Sequence, residues 1–183
     1  MSTMTSQSAS LPPSLRLAQA VGIMASAFLS GGVLAVSYGF VPSMSQAPNT
    51  LLVREWKTTY GRGVAAAPPL AIVSTLSFAW LSYSLSFTLN HHKAEIYALA
   101  ALATGSIVPF TIFFMSTVNG KLYRKVQNSK HLSRIEEMDE SKDKKGEKSR
   151  DLLYWWATMN ATRGLLPFAG ASLGMYASFY MTS

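Results

Sequence analysis

Three side chains able to do chemistry recur at helical spacing within "WWATMNATRGLLPF", residues 155–168. Trp156, Asn160 and Arg163 stand at i, i+4 and i+7 and so share one helical face. They bring an indole N–H, an amide and a permanent guanidinium cation. Apolar residues flank Arg163, and no acidic residue follows it in the chain. A cation so placed is either an anchor at a membrane surface or part of a working site that receives a negatively charged guest. A second stripe, Thr111, Met115 and Asn119, falls at i, i+4 and i+8. Counted back along an antiparallel helix, Thr111 comes to a depth close to that of Asn160. Pro109 frees a carbonyl in the turn before it, offering Arg163 or a ligand one more polar contact. Singly, these residues read as an interfacial indole, an interhelical amide, a core threonine and an end-capping asparagine. None of those readings explains why they line up with a cation.

The elements that must carry them follow from composition. Of 183 residues, 49% are hydrophobic and only 14% charged, against roughly 25% charged in soluble domains. No Asp, Glu, Lys or Arg occurs between Arg16 and Arg54, between Arg62 and Lys93, or between Glu95 and Lys121. A bilayer core needs about 20 apolar residues in helical form, because every backbone polar group must be satisfied internally. The expectation is an all-α integral membrane protein, a bundle of four transmembrane helices with a long charged loop between the third and fourth. The spans expected are about 17–40, 64–89, 96–118 and 152–181. Residues 1–14, rich in Ser, Thr and Pro, read as a disordered terminus ahead of a single domain over 15–183. A secretory signal is the rival reading of the first span, but its apolar core would be about 7–15 residues long.

Residues 41–63 read as a connector broken by Pro42 and Pro48, with Pro68 and Pro69 in the first turn of the second span. Ala27 and Gly31 offer the first span a close-packing face. Residues 119–150 read as a flexible, solvated loop, and removal of 127–150 is expected to leave the fold intact. If the last helix starts near Leu152, Arg163 lies about 16 Å inside it, near the middle of a core about 30 Å thick. A cation there costs between about 3 and 10 kcal/mol unless paired or hydrated, which makes it a functional candidate by default.

The net charge of +7 does not indicate a nucleic-acid partner. Ten Lys/Arg lie between Lys121 and Arg150, interleaved with Glu136, Glu137, Asp139, Glu140, Asp143 and Glu147. Mixed signs do not make a phosphate-binding stripe. Arg54, Lys57, Arg62 and those ten load one side of the bundle, while Arg16 and Lys93 alone mark the other. Both long connectors are therefore expected in the cytosol and both termini on the lumenal or external side of an endomembrane. The absence of cysteine rules out disulfides, thiolate ligands and iron–sulfur clusters. His91, His92 and Glu95 lack a fourth ligand and read as a surface turn rather than a metal site. Gly170 and Gly174 read as a packing motif.

Three stretches together, "EWKTTYGRG" at 55–63, "PFTIFFMSTVNGKL" at 109–122 and "WATMNATRGLLP" at 156–167, resemble the small four-helix membrane proteins typified by fungal anthrone oxygenases. The likeness covers all four spans in order, including the charged loop. It implies oxidation of an anthrone, a tricyclic aromatic polyketide, to an anthraquinone by dioxygen with no cofactor, and the chain carries no flavin, haem or metal signature. It further implies that Arg163 stabilises the substrate anion, with Asn160 and Asn119 donating hydrogen bonds to it. Trp56, Tyr60 and Trp156 would stack on its rings beside Thr111 and Met115. No general base stands on these stripes. The alternative, from a different class, is a non-catalytic membrane protein: a scaffold gathering biosynthetic enzymes through the charged loop, or a small transport component.

Overall fold

The computed structural model describes residues 11–88, 91–133, 135–141, 143–144 and 146–179. Most of the terminus expected to be disordered, the last residue of the second span with Asn90 after it, residues 134, 142 and 145 of the charged loop and the last residues of the fourth span lie outside them. Among the described residues there is no strand. The helices are α1 (Pro13–Ala35), continued by a π-helical turn (Val36–Phe40), α2 (Val41–Met44), α3 (Asn49–Ser86), α4 (His91–Gly105), α5 (Ile107–Asn128) and α6 (Ser149–Phe179). They form four long rods: α1 with its π turn and α2, then α3, then α4 continued by α5, and α6.

The first rod starts at Pro13, whose missing N–H lies among the orphan donors of a helix start. Pro42 explains the π turn. Its ring collides with the carbonyl one turn back, and the chain widens so that the Val41 N–H bonds to the Val36 carbonyl five residues earlier.

The expected connector over 41–63 is mostly helix. Pro48 caps α3, which then runs 38 residues unbroken through "REWKTTYGRG" and past Pro68 and Pro69. Those prolines sit in mid-helix rather than in a first turn, so the carbonyls of Val64 and Ala65 lose their ordinary donors. Packing against neighbouring helices carries a rod through such a defect. The third rod breaks at Ser106, ahead of Pro109, and continues as α5.

Three segments are long and apolar enough to cross a membrane: Pro13–Met44, Asn49–Ser86 and His91–His131. The 31-residue α6 is not among them. Beyond Leu152, Leu153 and Trp156 its buried face is small or polar, with Asn160, Gly164, Gly170, Ala171, Gly174 and Ala177. All the rods turn large apolar residues outward, among them Met24, Phe28, Leu76, Trp80, Phe113, Leu165 and Phe168. Their hydroxyls point inward instead. Ser26 Oγ donates to the Pro167 carbonyl at 2.8 Å and lies 2.9 Å from Thr104 Oγ1. Ser30 Oγ donates to the Gly164 carbonyl, and Ser74 Oγ to that of Gly22. Such interhelical hydrogen bonds between small residues replace hydrophobic contrast where the surroundings are themselves apolar.

The small-residue face of α1 is therefore Gly22, Ser26 and Ser30. Ala27 and Gly31 point outward, and nothing lies within 4 Å of a Cβ added at Gly31. Gly170 and Gly174 do pack closely, as a Cβ at Gly170 would stand 2.1 Å from Thr104 Oγ1 and one at Gly174 2.6 Å from the Phe78 ring.

The charged segment after α5 is docked, not free. Glu137 Oε2 accepts the backbone N–H of Asn49 at the start of α3, at 3.1 Å. Glu140, 8% exposed, accepts both the backbone N–H and the hydroxyl of Ser149 at the start of α6. Carboxylates thus meet the positive ends of two helices. Lys125 pairs with Glu140 at 3.0 Å and with Asp143, and Lys121 pairs with Glu147. Arg54 donates to the carbonyls of Ser129 and Leu132, and Met138 joins the core formed by Trp56, Leu122 and Leu153.

Candidate active site

α6 presents Trp156, Asn160 and Arg163 on one face, α5 presents Thr111 and Asn119 opposite, and α3 closes a third side with Trp56 and Tyr60. Arg163 Nε donates to Asn160 Oδ1 at 3.0 Å, and Nη1 donates to Thr111 Oγ1 at 2.9 Å. The Thr111 hydroxyl passes its own hydrogen to the Ile107 carbonyl in the preceding turn. The two stripes thus meet as their spacing suggests. Arg163 takes its partners from these side chains rather than from a carbonyl freed by Pro109.

Asn160 is 1% exposed, and its hydrogens are committed. The amide nitrogen donates to the Val33 carbonyl at 2.9 Å and to Ser37 Oγ at 2.8 Å. It therefore has no N–H left for a substrate; it fastens α6 to α1 and orients the guanidinium. Asn119 has its oxygen and one of its two amide hydrogens engaged. Its Oδ1 accepts Trp156 Nε1–H at 3.0 Å, and its Nδ2 donates to the Tyr60 hydroxyl at 3.3 Å. A guanidinium has five N–H groups. Asn160 and Thr111 use two, and the other three have no hydrogen-bond acceptor among the described residues.

Those free donors face a cavity of about 310 Å³ between α1, α3 and α6, whose wall includes Tyr60, Trp156, Asn160 and Arg163. That volume lies at the lower end of the range for small-molecule sites, about 300–1,000 Å³. The remaining wall is mostly apolar, with Phe28, Val33, Val36, Phe40, Ala67 and Leu70. No Asp, Glu or His is among the residues lining it. Tyr60 stacks on Trp56 with ring centroids 5.2 Å apart, and Trp156 meets Tyr60 edge-on at 6.5 Å. The Tyr60 hydroxyl accepts from Asn119 and keeps its own hydrogen to give.

Two of the expected ring-contacting residues stand behind this wall. Trp56 and Met115 are fully buried in the core and do not line the cavity. Thr111 reaches the site through Arg163, and Asn119 through Trp156 and Tyr60. The contribution of α1 was not apparent from spacing. Ser37 holds Asn160, while Val36 and Phe40 line the cavity from the π-helical turn, a distortion that often marks functional sites. Pro42 was the available signal. Tyr123, packed edge-on against Trp56 and Tyr60, also lay off the stripes. His92 and Glu95 are exposed and approach each other at 3.4 Å, far along the sequence from the cavity residues.

The arrangement can place a flat apolar guest against two aromatic rings and set a fixed cation beside any negative charge it develops. Comparison with known proteins agrees with that chemistry. The family described as anthrone oxygenase matches residues 56–173. The chain is 30% identical to anthrone oxygenase encC of Aspergillus fumigatus, over 90% of its own length and 93% of that protein's. It is 30% identical to anthrone oxygenase AgnL2 of Paecilomyces divaricatus, over 86% and 92% of the two chains. Similarity extends to the noranthrone monooxygenase of Aspergillus flavus, at 24% identity over 85% of this chain and 70% of that one. No solved structure matches.

Proposed function

The chain belongs to the anthrone oxygenase family, and from that premise we propose that it oxidises an anthrone-type aromatic polyketide with dioxygen, in a membrane and without a cofactor. Its relatives are named as oxygenases and monooxygenases, and the chain is an oxidoreductase of that kind. The observation that carries the reading is the guanidinium of Arg163, held on two sides by neutral partners and open to an apolar cavity on the third.

Loss of a proton from the activated methylene of an anthrone leaves an anion delocalised over the rings and the carbonyl oxygen. Arg163 stabilises that charge, and Tyr60 donates its hydroxyl to the same oxygen, so the substrate is a stronger acid in the cavity than in water. With no carboxylate or imidazole in the wall, water takes the proton. The electron-rich anion passes one electron to dioxygen, the radical pair joins at the methylene carbon as a peroxide anion, and this takes a proton back from water to become the hydroperoxide. Loss of water then gives the quinone. Per turnover the methylene gives up two hydrogens, one oxygen atom becomes the new carbonyl and the other leaves as water. The site's contribution is electrostatic and positional, and it excludes bulk water.

All four rods span the bilayer in this reading, and α6, like the others, turns large apolar side chains outward, among them Trp155, Leu165, Phe168 and Phe179. The end bearing the docked loop faces the cytosol, because Lys and Arg collect there. The revised helix bounds change the depth of Arg163. The first turns of α3 carry Arg54, Lys57 and Arg62, and the last turns of α5 carry Lys121, Arg124 and Lys125. Those turns extend past the hydrocarbon, so a helix start no longer marks the membrane surface. Arg163, level with Arg62 on α3 but about 15 Å inward of Lys121 on α5 through its bond to Thr111, sits in the cytosolic half of the apolar layer, where a cation costs less than at the centre.

The test is direct. Purified protein in detergent, given an anthrone and oxygen, is expected to form anthraquinone well above the spontaneous and boiled-protein rates, and labelled dioxygen should deliver one labelled atom to the product. A rate equal to the boiled control rejects the oxygenase reading.

A further inference from the structure

The cavity wall contains a second cation. Arg62, on α3, lines the same space as Arg163 on α6. It stands thirteen residues into its helix, about 20 Å from the start, and Arg163 stands fourteen residues into α6, about 21 Å from its start. Both helices run away from the loop end of the bundle, so the two residues line the cavity from different helices at neighbouring heights. Arg62 has no hydrogen-bond or ion-pair partner among the described residues. Its helical neighbours at i−4, i−3, i+3 and i+4 are Thr58, Thr59, Ala65 and Ala66, none of them acidic. Arg163 is likewise held by neutral groups. Two cations without counter-charge therefore border a largely apolar cavity. A neutral hydrocarbon would satisfy neither, whereas a guest with two separated negative or acidic groups would satisfy both.

We propose that Arg62 is a second anion-recognition point of this cavity, and that the site favours a flat aromatic substrate carrying an ionised oxyanion group away from the carbon that is oxidised. Arg163 meets the charge that develops during reaction. Arg62 meets a charge the substrate already has, and so fixes which end enters first. This rests on the cavity being the substrate site. Unlike Arg163, Arg62 is exposed, so its contribution is screened, and a preference of about tenfold is expected rather than several hundredfold.

Binding without turnover tests it. Full-length protein in nanodiscs of phosphatidylcholine is titrated with anthraquinone-2-carboxylate and with its neutral carboxamide, followed by quenching of tryptophan fluorescence. Wild-type protein should bind the carboxylate about tenfold more tightly than the carboxamide. Arg62→Gln should bring the two to equal affinity, with carboxamide binding unchanged, which also reports an intact cavity. Wild-type protein that binds both equally overturns the proposal, and so does a preference that survives Arg62→Gln. The oxygenase reading fails independently. A protein with the Arg62-dependent preference but no oxidation loses that reading and keeps this one, and a protein that oxidises anthrones without the preference does the reverse.

Discussion

Asn160 is where fold and chemistry meet, and replacing it by Leu should damage both by amounts that can be reckoned from its contacts. The side chain makes two neutral hydrogen bonds to α1, to the Val33 carbonyl and Ser37 Oγ, and accepts one from the charged Arg163. In soluble proteins such bonds contribute about 1 kcal/mol each when neutral and about 1.5–3 when charged. Between membrane helices the average is nearer ~0.6 kcal/mol. The loss expected for Asn160→Leu is thus about 2–4 kcal/mol, or about 5–15 °C in the melting temperature of a chain this size. The second effect is on rate. Without Oδ1 as acceptor the guanidinium keeps only Thr111, and a shift of about 1 Å in a charge-stabilising group lowers kcat/KM by up to about 100-fold. Asn160→Asp keeps an acceptor for Nε and sets a counter-charge against the cation, so the rate should fall even though Arg163 stays held; the loss of both donations to the first rod is read separately in the melt. Thermal unfolding in detergent and anthraquinone formation read both quantities. An Asn160→Asp protein that is folded and oxidises its substrate within threefold of wild type would refute the reasoning.

Other outcomes follow from single contacts. Trp156→Phe keeps an aromatic ring at the cavity but removes the N–H donated to Asn119; it should cost about 1 kcal/mol of stability and weaken binding of flat aromatic probes in a fluorescence-independent assay. Glu140→Gln breaks the pair with Lys125 and weakens the cap on α6, so a loss of about 2–3 kcal/mol and faster proteolysis within 132–148 are expected. Deleting 127–150 should remove the folded state in a detergent melt, since both helix starts lose their carboxylates. Gly170→Val drives a side chain into Thr104 Oγ1 and should lower stability by about 1–3 kcal/mol, while Gly31→Ala, with open space around it, should leave the melting temperature unchanged.

What was legible in the sequence was whatever is carried by period and sign. Charge-free intervals revealed the apolar rods, and two stripes on antiparallel helices put Thr111 at a depth near Asn160, one turn from the Arg163 that it bonds, because side-chain direction follows from residue count once a segment is helical. The illegible parts depend on contacts between distant residues. Pro68 and Pro69 looked like a helix start, yet neighbouring rods carry α3 through them, and this brought Tyr60 and Arg62 onto a continuous helix. The loop looked solvated because its charges alternate. Its carboxylates in fact find helix ends: Glu137 bonds Asn49, 88 residues away in sequence, and no local pattern encodes that. Ser37 and Phe40 carried no charge to draw notice, and only the distortion around Pro42 turns them toward the site. Asn160 and Asn119 share faces with the other stripe residues, but their amide groups bond neighbouring side chains and the Val33 carbonyl. Spacing tells which face a side chain is on, not whether its hydrogens are already taken.

The claim on which the account turns is that an oriented guanidinium in this cavity stabilises the substrate's anion. Arg163→Gln keeps an N–H donor at the position of Nε, toward Asn160 Oδ1, and removes the charge. Its rate of anthraquinone formation, measured on inserted protein whose melting temperature is within a few degrees of wild type, is the most direct test. The expected result is a fall of at least about 100-fold, close to the boiled-protein background. Oxidation by that variant at the wild-type rate would contradict the account.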